Sequence, residues 1–239
     1  MDINIIYKYF MQHSFSNPSK IVVFDVDETL GYFSKLGKIW QFLNNYAKAQ
    51  SKSKLDQSDF DRLLDLFPEF VRPHMLTILN YIKLQKKANN CNKVMIYTNN
   101  QASQKWIQHI ITYFENKLKY KLFDNIICAF KIGGKVVEMS RTSHRKTYLD
   151  LVTCAKIPAH AQICFIDDTY YSEMDITDNV VYIKVVPYIY DLPNEVIQKR
   201  LGINTTSLSF SYIEKSNQDF EIDKIISKKI MLYLQKFFA

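Results

Sequence analysis

The run Ile21-Val22-Val23-Phe24, followed at once by Asp25-Val26-Asp27-Glu28-Thr29-Leu30, restricts this chain more than any other stretch. Four apolar residues in succession, most of them β-branched or aromatic, predict a buried strand. The two carboxylates stand at i and i+2, on one side of a continuing strand. They begin where the apolar run stops, at the strand's C-terminal end, which is where an open parallel sheet binds its ligands. Close carboxylates repel one another and raise a pKa, and they tolerate each other best with a cation beside them. The alternative is an acidic turn in which Asp25 and Asp27 are simply solvated.

The same construction recurs downstream. Val94-Met95-Ile96-Tyr97 runs into Thr98-Asn99-Asn100, and Ile163-Cys164-Phe165-Ile166 runs into Asp167-Asp168-Thr169. Residues 126–130 and 180–186 predict two more strands. Between the strands the apolar period becomes helical. It does so at Leu36, Ile39, Trp40, Leu43 and Tyr46, at Phe60, Leu63, Leu64 and Phe67 up to the helix-ending Pro68, and at Leu76, Leu79 and Ile82 after Pro73. Thr98 reads either as a ligand-facing hydroxyl or as a plain cap of a helix over 101–111. Gly133-Gly134 predicts the turn of a small hairpin. Strands alternating with helices predict an α/β fold, a doubly wound parallel sheet covered on both faces. One domain over 1–202 is expected, with residues 31–69 as a small helical, cap-like insertion after the first strand. Residues 203–239 are expected to be a linker and an amphipathic helix packed on the core. A partner or membrane-surface role for its lysines is the alternative. Residues 1–19 suit a short helix or an edge strand.

Composition sets bounds. At 239 residues and 47% hydrophobic, the chain can bury a full core, which argues against disorder over most of its length. The net charge of +7 favours anionic partners. Much of it falls in 117–146, most of whose lysines read as a solvated face, with Lys131, Lys135 and Arg141 as candidates to steer a phosphorylated, acidic or extended chain. The four cysteines show no metal or redox spacing, and Cys128 and Cys164 read as core residues. No apolar run reaches membrane-span length and the first ten residues show no signal-peptide pattern. A soluble intracellular protein of cytoplasm or nucleus is expected.

Asp25-Val26-Asp27-Glu28-Thr29-Leu30 resembles the first motif of the haloacid dehalogenase superfamily of phosphohydrolases. With Glu28 in place of the superfamily's usual glycine, it is closest to the branch that dephosphorylates the C-terminal domain of RNA polymerase II. Tyr97-Thr98-Asn99 resembles that branch's second motif, and Arg72-Pro73 is similar to its helix opening, with His74 where it has glycine. Asp167-Asp168 resembles the superfamily's fourth motif, in the generic form rather than the branch's Asp-Asn. The third motif is one lysine at a helix start. Lys146 is the choice, with Arg145 and Lys135 as alternatives.

The resemblance covers about residues 20–190 and implies a Rossmann-like core with magnesium-dependent hydrolysis of phosphate monoesters. It implies Asp25 as the nucleophile that becomes an aspartyl-phosphate and Asp27 as the acid and base. Thr98, Asn99 and Lys146 would hold the phosphoryl group. Mg²⁺ would sit on Asp25, Asp27 through its main-chain carbonyl, and Asp168, with Asp167 in support. Arg72 is taken as structural. Phosphoserine and phosphothreonine proteins are the expected substrates. The alternatives are polynucleotide ends or small phosphate esters, for which no nucleic-acid module is evident, or a silent binding module, against which the intact Asp25 and Asp27 argue.

Overall fold

The structure, a computed structural model, describes residues 18–203, 210 and 212–239. The reading of the first residues as a helix or edge strand lies outside the described residues. Central strand β1 (Lys20–Phe24) pairs in parallel with β2 (Lys93–Tyr97) on one side and with β6 (Gln162–Asp167) on the other. Strand β3 (Asn125–Ile127) lies outside β2, and β7 (Val180–Lys184) lies outside β6. The five-stranded sheet is therefore ordered β3-β2-β1-β6-β7 and is parallel throughout.

Alternation along the strands divides the core in two. Val22, Phe24, Val94, Ile96, Cys164 and Ile166 belong to one buried cluster, and Ile21, Val23, Met95, Tyr97, Ile163 and Phe165 to the other. Helices cover both faces, but unequally. The first cluster takes side chains from α1 (Phe33–Ala49), α2 (Gln57–Leu66), α3 (Met75–Lys87), α4 (Gln104–Leu118), α6 (Asn194–Leu201) and α7 (Asn217–Phe238). The second takes Leu151 and Ala155 from α5 (Tyr148–Ala155). An α/β fold with a parallel sheet and helices on both faces agrees with the strand-and-helix alternation of the sequence.

The segment 31–69, expected as a small helical insertion, is helical and packs its apolar faces into the core. Phe33, Leu36, Ile39, Phe60, Leu63, Leu64 and Phe67 are buried in the same cluster as Val22 and Phe24. Phe60 packs edge-on against Trp40 and Trp106 and stacks on His109, so α1, α2 and α4 share one aromatic knot. An apolar load of this size is drawn to the sheet face rather than out over its edge. None of these residues lines the cleft described below.

Other expectations shift locally. Strand β3 stops at Ile127 and Cys128 is half-buried rather than core, because its carbonyl turns to the Arg141 Nη1 at 2.8 Å instead of a ladder. Helix α4 begins at Gln104 after Ser103, so Thr98 does not cap it. The hairpin β4 (Lys131–Ile132) and β5 (Lys135–Val136) turns at Gly133 and Gly134, with φ of 56° and 80°. Two successive left-handed residues are the requirement of a type I′ turn, which glycine meets without strain. At the chain's end, Ile230, Leu234 and Phe237 bury one stripe of α7 in the core. Among the described residues no helix is long and apolar enough to cross a membrane.

Candidate active site

The chain leaves β1 toward β2 and β3, then returns across the sheet to β6 and β7, so the strand order reverses between β1 and β6. At such a switch point the loops part and leave a crevice at the carboxyl ends. Asp25 follows β1 there, its amide donating to the Ile166 carbonyl at 2.9 Å, and Asp167 ends β6. The crevice is a cleft of about 230 Å³, lined by Asp25, Asp27, Glu28, Asn99, Lys146, Asp167, Asp168, Thr169 and Tyr171. A larger hollow of about 450 Å³ at the other end of the strands, lined by Lys20, Asn92, Gln162 and Phe238 among others, gathers no comparable set of ionisable side chains.

Lys146 is 1% exposed. Its Nζ donates to Asp25 Oδ1 at 2.5 Å and to Asp167 Oδ2 at 2.6 Å. Of the three basic candidates it alone enters the cleft. Arg145 pairs at the surface with Glu173 at 2.9 Å, and Lys135 is exposed on the hairpin. Carboxylate oxygens of Asp25, Asp167 and Asp168 lie within 4.8 Å of one another. Three carboxyl groups thus gather around one ammonium, and their donors are all oxygen, a set that suits a hard divalent cation. Thr29 Oγ1 donates to Asp168 Oδ1 and accepts from the Asp168 amide, both at 3.1 Å, which fixes that carboxylate.

Asp27 lines the same cleft but is not one of the three clustered carboxylates. Its Oδ2 accepts from Asn100 Nδ2 at 2.5 Å. Burial pushes its carboxyl up to about 6, against the pull of the Asn100 hydrogen bond and with help from Asp25. Burial also raises Asp25 and Asp167, with Lys146 opposing in each case. Burial disfavours the Lys146 charge, but Asp25 and Asp167 outweigh it and leave the amine above its ordinary range. Glu28 is raised as well, by burial and then by Asp168 and Asp25.

Thr98 is 1% exposed and sits behind the cleft wall, its Oγ1 accepting from the Asn100 amide at 3.1 Å. Asn99 reaches the cleft. Its Oδ1 accepts from Arg141 Nη2 at 2.7 Å and its Nδ2 donates to the Tyr171 hydroxyl at 3.1 Å. Arg141 does not steer anything at the surface. It is 2% exposed and surrounded by carbonyl oxygens, which corrects the sequence expectation.

Arg72 holds the loop after β1. Its Nε donates to the Thr29 carbonyl at 2.7 Å, and its Nη2 to the carbonyls of Glu28 at 2.6 Å and Val186 at 2.8 Å. Glu28 is left-handed at φ 59°, an uncommon state for a side-chain-bearing residue that persists only where its surroundings impose it. Burial lowers the Arg72 pKa to about 10, so the guanidinium stays charged at neutral pH. Arg72→Met strands the carbonyls of Thr29 and Val186, while that of Glu28 keeps the Tyr188 amide at 2.8 Å; each stranded carbonyl costs about 1–3 kcal/mol if it remains buried and unpaired. We expect Arg72→Met to lower the unfolding free energy by about 2–4 kcal/mol in urea melts. A change too small to resolve would show that the loop holds itself.

Neither Asn100 as the partner of Asp27 nor Arg141 as a buried hub is visible in the sequence. A pair of adjacent asparagines and one arginine in a basic stretch look like ordinary loop and surface. Tyr171, which also lines the cleft, carries no sequence signal of its own. No family model and no curated protein matches the chain.

Proposed function

We propose that this chain is a magnesium-dependent phosphatase of the haloacid dehalogenase type, closest to the polymerase C-terminal-domain phosphatase-like branch. On this reading it hydrolyses phosphate monoesters on phosphoserine and phosphothreonine proteins. The observation that carries the reading is the meeting of Asp25, Lys146, Asp167 and Asp168 at one strand switch point, with Asp27 held by Asn100 in the same cleft. A nucleophilic carboxylate, a cation for phosphoryl oxygens and a separate proton carrier are what phosphoryl transfer needs.

In this scheme an Asp25 oxygen attacks phosphorus and the ester P–O bond breaks. Asp27 gives its proton to the leaving oxygen, and Asp25 becomes the aspartyl-phosphate. Water then attacks that phosphorus while Asp27 takes its proton, releasing inorganic phosphate and restoring Asp25. Lys146 engages one oxygen of Asp25 and would also meet phosphoryl oxygens as they arrive. Asn99 presents its NH₂ on the same wall, and Thr98 would act from behind it. Held by Asp25, Asp168 and the Asp27 carbonyl, with Asp167 in support, Mg²⁺ would supply charge neutralisation for an anion entering an acidic cleft.

A protein substrate is favoured because residues 31–69 are folded into the core and add no wall to the cleft. The chain's +7 charge supports polynucleotide ends as the second reading. A panel of phosphoserine and phosphothreonine peptides, 3′-phosphorylated DNA, sugar phosphates and p-nitrophenyl phosphate separates them. Hydrolysis should require Mg²⁺, stop with chelator and favour the peptides. If DNA or a metabolite led by about tenfold or more in kcat/KM, the protein reading would be rejected. Failure of every ester would reject the phosphatase.

A further inference from the structure

We propose that Arg141 is a positioning residue: it locks the loop that carries Thr98 and Asn99 to the loop that carries Lys146, and it fixes the Asn99 amide with its NH₂ toward the cleft. This rests on the phosphatase reading for its chemistry, but the coupling itself is a property of the fold.

The two loops lie far apart in sequence and neither has regular structure at the site. Residues 98–103 separate β2 from α4, and residues 142–147 precede α5. Irregular backbone buried beside a cleft has carbonyls that no ladder satisfies. Arg141 gathers them. Its Nη1 donates to the carbonyls of Thr98 at 3.1 Å and Cys128 at 2.8 Å. Its Nη2 donates to Asn99 Oδ1 at 2.7 Å and, at 3.3 Å each, to the carbonyls of His144 and Arg145. One planar fork thus holds the residue that bears the Thr98 hydroxyl, the side chain of Asn99 and the peptide that leads directly into Lys146. Tyr97, the last residue of β2, places its ring centroid 4.7 Å from the guanidinium carbon, a cation–π contact.

The chemistry of Arg141 also decides how Asn99 faces. Guanidinium has donors and no acceptor, so it can take only the oxygen end of the amide. The nitrogen end must then turn the other way, and it does, donating to Tyr171 at the cleft wall. An anion entering there meets N–H groups rather than a carbonyl oxygen. Lysine cannot replace this arrangement. Its ammonium offers three donors on a flexible stem instead of a rigid fork.

The experiment uses the full chain and two variants, Arg141→Lys and Asn99→Asp. The probes are inorganic phosphate, by calorimetry, and p-nitrophenyl phosphate, by steady-state kinetics. Amide hydrogen exchange and thermal melting follow the fold. Arg141→Lys should accelerate exchange in 98–103 and 142–147 while the strands keep their protection. It should weaken phosphate binding about tenfold or more and lower kcat/KM about 10²-fold, the usual scale for a group displaced by about an ångström. Asn99→Asp keeps an oxygen for Arg141 and replaces the donor with an acceptor, so phosphate affinity should fall with exchange unchanged. The proposal is overturned if Arg141→Lys leaves both loops' exchange and phosphate affinity near wild type. It is also overturned if that variant loosens the whole molecule evenly and loses activity only in proportion. Should Arg141→Lys fail to fold, Asn99→Asp decides, since unchanged phosphate affinity in it removes the role assigned to the amide. If the wild type neither binds phosphate nor hydrolyses any ester, the phosphatase reading fails, while exchange in Arg141→Lys still reports whether the two loops are coupled.

Discussion

Asp25→Asn should abolish turnover of every phosphate ester, a loss of about 10³-fold or more in kcat, on the scale seen when a catalytic nucleophile is removed. The amide has the same shape, so the cleft keeps its walls. What goes is the attacking charge: Lys146 can still donate to the amide oxygen at 25 and retains its ion pair with Asp167 at 2.6 Å. The fold should not suffer. Burial raises the Asp25 carboxyl even with Lys146 beside it, so folding disfavours its ionised form relative to the unfolded chain. The sign follows directly: a raised folded pKa means this carboxylate's contribution is most favourable at low pH and declines as pH rises through the shifted value. A neutral amide removes that cost. The melting temperature of Asp25→Asn, without added divalent cation, should therefore match or exceed that of the wild type, as expected where a site is kept charged for function. Retention of a tenth or so of wild-type turnover would remove Asp25 as the nucleophile.

Much of this site is legible in the sequence because the sheet announces itself. Strands buried on both faces must be apolar along their length, so the residue that ends each run marks a strand end. Asp25, Thr98 and Asp167 all stand at that boundary. Lys146 is harder, because a lone lysine among many basic residues has no periodic signature. It separates from Arg145 and Lys135 only through its place between Asp25 and Asp167, partners 121 and 21 residues away. The supporting residues are harder still. Arg141 reaches Thr98 across 43 residues and Asn100 reaches Asp27 across 73. Both use hydrogen bonds to groups whose positions exist only after folding. The helices of 31–69 show the complementary limit. Their apolar stripes are visible at Phe33, Leu36 and Ile39 and at Phe60, Leu63 and Leu64. A stripe says that a helix buries one face, but not what it buries that face against. Trp106 and His109 of α4 answer that question, and they draw the segment into the core and away from the cleft.

Asp27→Asn should separate the two halves of the reaction. Loss of a general acid and base is worth about 10²- to 10⁴-fold. The geometry should hold, because an asparagine at 27 can still offer its oxygen to Asn100 Nδ2, the bond that now positions Asp27 at 2.5 Å. The proton alone is removed. Burial holds the Asp27 carboxyl at about 6, high enough to carry a proton for a leaving group yet low enough to give it up again near neutrality. The defect must then depend on the ester. A serine alkoxide is a poor leaving group and cannot depart unprotonated, so phosphoserine peptide should show the full loss. p-Nitrophenolate departs without a proton, so the first step on p-nitrophenyl phosphate should be nearly spared. The second step still lacks its base. Phosphorylated Asp25 should accumulate, visible as a burst of p-nitrophenol stoichiometric with enzyme and as a mass increase on the peptide containing Asp25. Equal losses on both esters, with no burst, would mean that Asp27 supports binding or the shape of the loop rather than moving a proton.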